Sequence, residues 1–169
     1  MISLRPLKAE DAQGIKLWPS YVDGFAEMDY ALREKGWIDE FQSKPGTWIY
    51  IAEAHSATVG FSLLSTSQKG EAEFRIAIHP HWIGKGMGKA ITLDTLKLGF
   101  EEKNLDKIDL IVRKTKHAAA RLYQKLGFAI KGASLHVILG QSIEFTDMSM
   151  SKQSFYSLIN SPKGNIETT

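Results

Sequence analysis

The chain has 169 residues, 43% hydrophobic and 24% charged, with no cysteine and a formal net charge of +2. That length suits one domain of about 100–200 residues with a real core, and the hydrophobic share excludes intrinsic disorder. The absent cysteines exclude disulfide staples, cysteine-ligated zinc and thiol nucleophiles. No apolar run reaches the ~18–20 residues of a membrane span, and the start MISLRPLKAED lacks the apolar centre of a secretory signal, so a soluble cytoplasmic protein is expected.

Ile2–Leu7 alternates like a short edge strand, where Pro6 is tolerated because it has no ladder donor to lose. Ala9–Lys16 reads as a first helix. Tyr21–Gln42 is helix-prone and rich in aromatics, and Gln42–Gly46 is a loop. Thr47–Ala52 and Thr58–Leu64 flank a short turn at His55-Ser56 and predict a hairpin. Glu71–Ile78 alternates, with Phe74, Ile76 and Ile78 on one face. After the glycine cluster at 84–88, Leu93, Leu96 and Phe100 recur at helical spacing over Ala90–Lys103. Ile108–Val112 reads as a strand, and His117–Leu126 as a helix closed by Gly127. Two final strands, around Phe128–Lys131 and Leu135–Leu139 with Ile143–Met150, follow, joined by Gly140-Gln141. The expectation is a mixed α/β (α+β) fold: a mostly antiparallel sheet of about six to seven strands flanked by helices. Residues 1–152 form the domain, and 153–169 a polar, loosely held C-terminal tail.

Three glycines in five residues, after a strand and opening a helix, suit close approach to an anion on free helix N–H groups. The P-loop pattern fails, because Ala90 follows Gly88-Lys89 and Ile83 stands at the earlier glycine position. The dinucleotide fingerprint fails in both registers, at Lys89 and at Ile91. A phosphate cradle and a plain connecting turn both stay open on spacing alone. Local charge bears on the choice: Ile83–Lys131 holds eleven basic and five acidic residues, a surplus that suits a polyphosphate.

Phe74–Gly88, with His79-Pro80 followed by Gly84-Lys85-Gly86-Met87-Gly88, and the block Ala119–Phe128 with Leu122-Tyr123 and Leu126-Gly127-Phe128, resemble the GNAT superfamily of acetyl-CoA-dependent N-acetyltransferases. The resemblance covers residues 1–152. Ala72-Glu73-Phe74 and the ending Gly140-Gln141 to Asp147–Met150 look most like the branch of ribosomal-protein and spermidine N-acetyltransferases. It implies a GNAT fold and acetyl-CoA as co-substrate, without metal. The pyrophosphate would rest on backbone N–H groups from Ile83 through Gly84, Lys85, Gly86, Met87 and Gly88 to Lys89. The pantetheine arm would pair with Ile76, Ala77 and Ile78, with an N–H near Ile78 steadying the oxyanion. Two positions depart from the family: Ile83 replaces its usual Gln or Arg, and Lys116 replaces a common asparagine. Lys116 could instead reach a phosphate.

An amine of pKa ~10.4 must lose a proton before attack, and direct transfer from a ternary complex needs no covalent nucleophile. The resemblance makes Tyr123 the general acid for the leaving thiolate and Glu73 the candidate base, through water, with Glu71 further out. The family position for a base on the Ile108–Val112 strand is Ile111, which cannot serve. His79 and His81 read as loop residues. Asp23, Glu27, Asp29, Glu34, Asp39 and Glu40, interleaved with aromatics, would attract a cationic acceptor. The expected acceptor is a polyamine, an aminoglycoside-like amine, an amino acid or a protein N-terminal amine. No nucleic-acid or membrane partner is expected, and there is room for a homodimer. The alternative is a non-catalytic acyl-CoA-binding or regulatory module.

Overall fold

Residues 1–22 and 24–161 are described in the computed structural model. Seven strands, β1 (Ser3–Pro6), β2 (Thr47–Ala54), β3 (Ala57–Gln68), β4 (Glu71–Ile78), β5 (Lys107–Arg113), β6 (Ala129–Ile138) and β7 (Gln141–Ser151), pair in the order β1-β2-β3-β4-β5-β7-β6. The sheet is mostly antiparallel, with β4 and β5 parallel, and helices flank it as the sequence implies. The two-residue turn expected at His55-Ser56 forms, with φ 51° and 64°, the left-handed pair whose twist matches a hairpin.

The chain divides into two compact units: Met1–Thr66 with Arg75–Thr95, and Ser67–Phe74 with the residues from Leu96 onward. In the first, β2 and β3 are apolar on both faces, so the run Ile49–Ala52 is buried without alternation. One face carries α1 (Ala9–Lys16) and α2 (Trp37–Phe41), packing Ile15, Trp37, Ile38 and Phe41 against Ile51, Phe61 and Leu63. On the other, Ile91 of α3 (Met87–Lys97) meets Ala52, Ala54 and Val59, with Ile76 and Ile78 alongside. Thr95 Oγ1 donates to the Ile91 carbonyl at 2.7 Å, so its one proton is committed there. Ser62 Oγ, 2.7 Å away and equally buried, therefore donates to Thr95.

In the second unit, Ile108, Leu110 and Val112 turn inward from β5 while Lys107, Asp109 and Ile111 face the other way. The π-helical turn Leu98–Glu102 buries Phe100, which stacks on Phe155 of α5 (Lys152–Ile159) at 5.1 Å. α4 (His117–Lys125) ends as expected before Gly127, whose φ of 106° suits only glycine.

Three expectations are corrected. Tyr21–Gln42 is not one helix but a 3-10 helix over Ala26–Leu32 followed by the short α2. The chain doubles back at Lys35 (φ 60°) and Gly36, where a Cβ would meet the carbonyls of Ala31, Tyr30 and Arg33 at 2.5–2.7 Å. Asp23 lies outside the described residues. The helix after the glycine cluster starts at Met87 instead of Ala90, taking the last glycine into its first turn. The two final strands form as β6 and β7, and a register shift between Ile130 and Gly132 absorbs Lys131 within β6. The tail expected from 153 begins as α5: Ser151 Oγ accepts from the Ser154 N–H, and Phe155 is buried. Residues 162–169 lie outside the described part.

β3 and β4 approach most closely at Gly60, where a Cβ would sit 2.8 Å from the Ala77 carbonyl oxygen and 2.9 Å from Ile91 Cδ1. Gly60→Ala is expected to lower stability by about 1–3 kcal/mol, since the obstacle is backbone that cannot rotate aside. Chemical denaturation of the two proteins reads the difference directly.

Candidate active site

In the first unit, Ile76, Ala77 and Ile78 end β4 and the chain passes through a 3-10 turn at Pro80–Trp82 into the glycine loop. Gly84 and Gly86 both have φ 78°, and nothing lies within 4 Å of where their Cβ atoms would be. Glycine is therefore needed for backbone shape alone, and the loop stays open on its outer side. Met87, Gly88 and Lys89 form the first turn of α3, so their N–H groups lack intrahelical acceptors and carry the positive end of the helix dipole. Lys89 is exposed, as is Lys85, whose Nζ lies 5.2 Å from the centre of the Trp82 ring. Ile76, Ile78, Trp82 and Met87 share one apolar cluster, which fixes the strand end to the helix start.

The end of β4 is held by a residue that the sequence did not single out. Tyr21 Oη donates to the Ile78 carbonyl at 2.6 Å, and burial pushes its pKa well above the ordinary phenol range. Arg33 secures the loop carrying Tyr21, donating to the carbonyls of Lys16 and Trp18 while pairing with Asp29 at 2.8 Å. The only sequence signal was a tyrosine among core aromatics, which spacing cannot distinguish from an ordinary core residue.

His79 and His81 are tied together in the 3-10 turn. His79 Nδ1 accepts from the His81 N–H at 3.1 Å, capping the 3-10 turn, and its ring lies 4.9 Å from that of Trp18. Burial, then the neighbouring His81, holds its pKa below the usual value. The acidic segment is also largely partnered within this unit: Asp29 by Arg33, Asp39 and Glu34 by Lys16, and Glu40 by Arg75.

The second unit holds Glu73, Lys116 and Tyr123. The β4–β5 ladder pairs Glu71↔Lys107, Ala72↔Ile108 and Glu73↔Asp109. Ala72, Phe74 and Ile108 therefore face the buried side, and Glu71, Glu73, Lys107 and Asp109 the open side. Tyr123 sets its ring edge-on against Phe74 at 6.4 Å and Phe128 at 5.8 Å, which puts it on Phe74's face, opposite Glu73. Burial pushes its hydroxyl up to about 12, so it is a protonated phenol at neutral pH. Glu71 is engaged by Gln68 and by Lys107, and the Gln68 contact holds its pKa below the ordinary carboxylate value. Lys116 caps the start of α4. Among the described residues no group of three or more His, Asp or Glu could hold a metal ion, and no helix is long and apolar enough to cross a membrane.

Residues 45–130 match the acetyltransferase (GNAT) domain. The chain belongs to the GNAT family. A 65-residue stretch is 40% identical to spermidine N(1)-acetyltransferase of Escherichia coli K12, covering 38% of this chain and 35% of that protein. The match thus spans about a third of the relative's length. Among solved structures, Vibrio cholerae spermidine N-acetyltransferase in complex with CoA and spermine superposes with a TM-score of 0.76 at 22% identity, over 92% of this chain and 98% of that one. The Vibrio cholerae spermidine/spermine N-acetyltransferase SpeG with manganese ions gives 0.73 at 24% identity, over 92% and 95%. At these identities the likeness is one of fold.

Within the GNAT pattern, the departure at Ile83 has a physical reason. Its side chain packs against the cluster of α1, α2 and β3, so it serves the core where a Gln or Arg would reach outward. Its backbone stays extended at φ −67°, ψ 141°, leading into Gly84.

His79 makes stability pH-dependent. Its folded pKa lies below the unfolded one, so its contribution is complete above the ordinary value near ~6.5 and is lost as pH falls below it. Urea unfolding at pH 7.5 and pH 5 should show a smaller acid-induced loss for His79→Asn than for the natural chain.

Proposed function

We propose that this GNAT chain is an acetyl-CoA-dependent N-acetyltransferase whose acceptor is a primary amine of the polyamine class. The arrangement at β4 carries the reading. Adjacent residues Glu73 and Phe74 point to opposite faces, and Phe74 seats the Tyr123 phenol. An amine taken up on the open face can lose a proton to Glu73 through water while the thiolate receives one from Tyr123 on the other. Nitrogen attacks the thioester carbonyl, the C–N bond forms, and collapse breaks the C–S bond. The Ile78 N–H stabilises the oxyanion while Tyr21 holds the carbonyl of the same residue.

The cofactor pyrophosphate rests on the N–H groups of Gly84 to Lys89, with Lys85 and Lys89 as cationic partners, and Ile76, Ala77 and Ile78 bind the pantetheine amides. A polyamine acceptor is favoured over aminoglycosides, amino acids and protein N-termini by the relatives named for spermidine. The proposed site of action is the cytoplasm, which supplies acetyl-CoA.

Free thiol release from acetyl-CoA across a panel of amines tests the reading, with turnover expected for spermidine or spermine. Tyr123→Phe should lower kcat by about 100-fold with little change in the KM for acetyl-CoA; undiminished turnover would remove the acid role. Gly86→Ala, forced into a left-handed conformation costing about 1–2 kcal/mol, should weaken acetyl-CoA binding by roughly tenfold in a titration. Binding of acetyl-CoA with no thiol release for any amine would leave the non-catalytic module as the better description.

A further inference from the structure

The reaction removes two protons from the acceptor nitrogen. An ammonium enters and a secondary amide leaves, while the thiolate takes up only one proton. The other must reach bulk water, and a single carboxylate cannot hold both. The second unit contains a hydrogen-bonded chain suited to that transfer. Ser134 Oγ on β6 donates to Asp147 Oδ1 on β7 at 2.6 Å, and His136 Nε2 lies 2.9 Å from the same Ser134 Oγ. With the serine proton committed to the carboxylate, the imidazole Nε2–H is the donor to Ser134.

Register places this chain on the face that bears Glu73. Glu73 pairs with Asp109 across β4 and β5, Asp109 with Ser149 and Ile111 with Asp147 across β5 and β7. Residues directly opposite in a ladder share a face, so Glu73, Asp109, Ile111 and Asp147 lie on one side of the sheet, with Ser134 and His136 continuing it onto β6. His136 is exposed, and its ring stands edge-on to Phe145 at 5.2 Å. The other charged groups on this face are Glu71, Glu73 and Arg75 of β4 and Lys107, Asp109 and Arg113 of β5; the Arg113 guanidinium lies 5.9 Å from the Phe145 ring centre. Lys114 and Glu144 pair with each other at 2.9 Å.

We infer that Asp147, Ser134 and His136 form a proton exit for the acceptor face, a role that rests on the acetyltransferase reading above. Asp147 accepts a proton from the acceptor ammonium through water. With the ring in its Nδ1–H tautomer, the loaded carboxyl donates to Ser134 Oγ, the serine hydrogen passes to the vacant His136 Nε2, and the imidazole releases its Nδ1 proton to water. This leaves Asp147 ionised, Ser134 donating to it and Nε2–H donating to Ser134, an arrangement that the two distances accommodate. Exchange of the exposed ring between tautomers through water resets the chain. Asp147, which reaches the acceptor through water, Ser134 and His136 are positioning and relay residues.

The test is turnover with spermidine in dilute, non-imidazole buffer, with imidazole then added. His136→Ala should lower kcat by about tenfold and recover as imidazole supplies the missing carrier. Ser134→Ala should fall similarly without recovering, since its missing link is internal, and Asp147→Asn should fall furthest. KM for acetyl-CoA should stay unchanged in all three. Full turnover of His136→Ala in dilute buffer, or a loss that imidazole does not relieve, would overturn the relay. Absence of amine-dependent thiol release from the natural chain would instead overturn the acetyltransferase reading.

Discussion

Backbone groups buried in a sheet must find partners, and β4 has β5 as its ladder partner only from Glu71 to Glu73. Beyond that point the strand is held by other means within its own unit. Gly60 admits the Ala77 carbonyl to close range, Ile76 and Ile78 pack beside Ile91, and Tyr21 donates to the Ile78 carbonyl. Each device fixes the end of the strand from within its own unit. The glycine loop depends on the same anchoring, because Trp82 and Met87 join the cluster that holds Ile76 and Ile78.

Much of this was legible in the sequence because it is local. The hairpin at His55-Ser56, the alternation of β4, the glycine turn and the Gly127 cap each depend on a few adjacent residues, and each forms. The failures are of two kinds. Residues 21–42 have helical composition, but folding back at Lys35 and Gly36 brings several carbonyls around one α-carbon, a tertiary demand that outweighs propensity. The tail was judged by polarity, although one phenylalanine with a serine cap suffices to dock a helix. In the site, the glycines and Tyr123 stood in readable motifs. Tyr21, and the meeting of Ser134 and His136 with Asp147, did not. Both depend on contacts across strands or loops, and the second depends also on the register shift that absorbs Lys131.

The near-neutral total charge conceals two local imbalances of different character. In the acidic segment, Lys16, Arg33 and Arg75 answer four of the carboxylates, and the arginine at 33 also ties down backbone carbonyls. Those acids therefore serve first to hold the loop that carries Tyr21, and attraction of a cation falls to whatever field is left after pairing. Around the glycine turn the balance differs: Lys85 and Lys89 stand exposed beside helix N–H groups that have no intrahelical acceptor. Charge that is not cancelled nearby acts at longer range. The basic end of this chain is accordingly better placed to attract an oppositely charged ligand than the acidic end is. In the second unit, Glu73, Asp109 and Asp147 share one open sheet face, with Lys107 the cation close to Asp109.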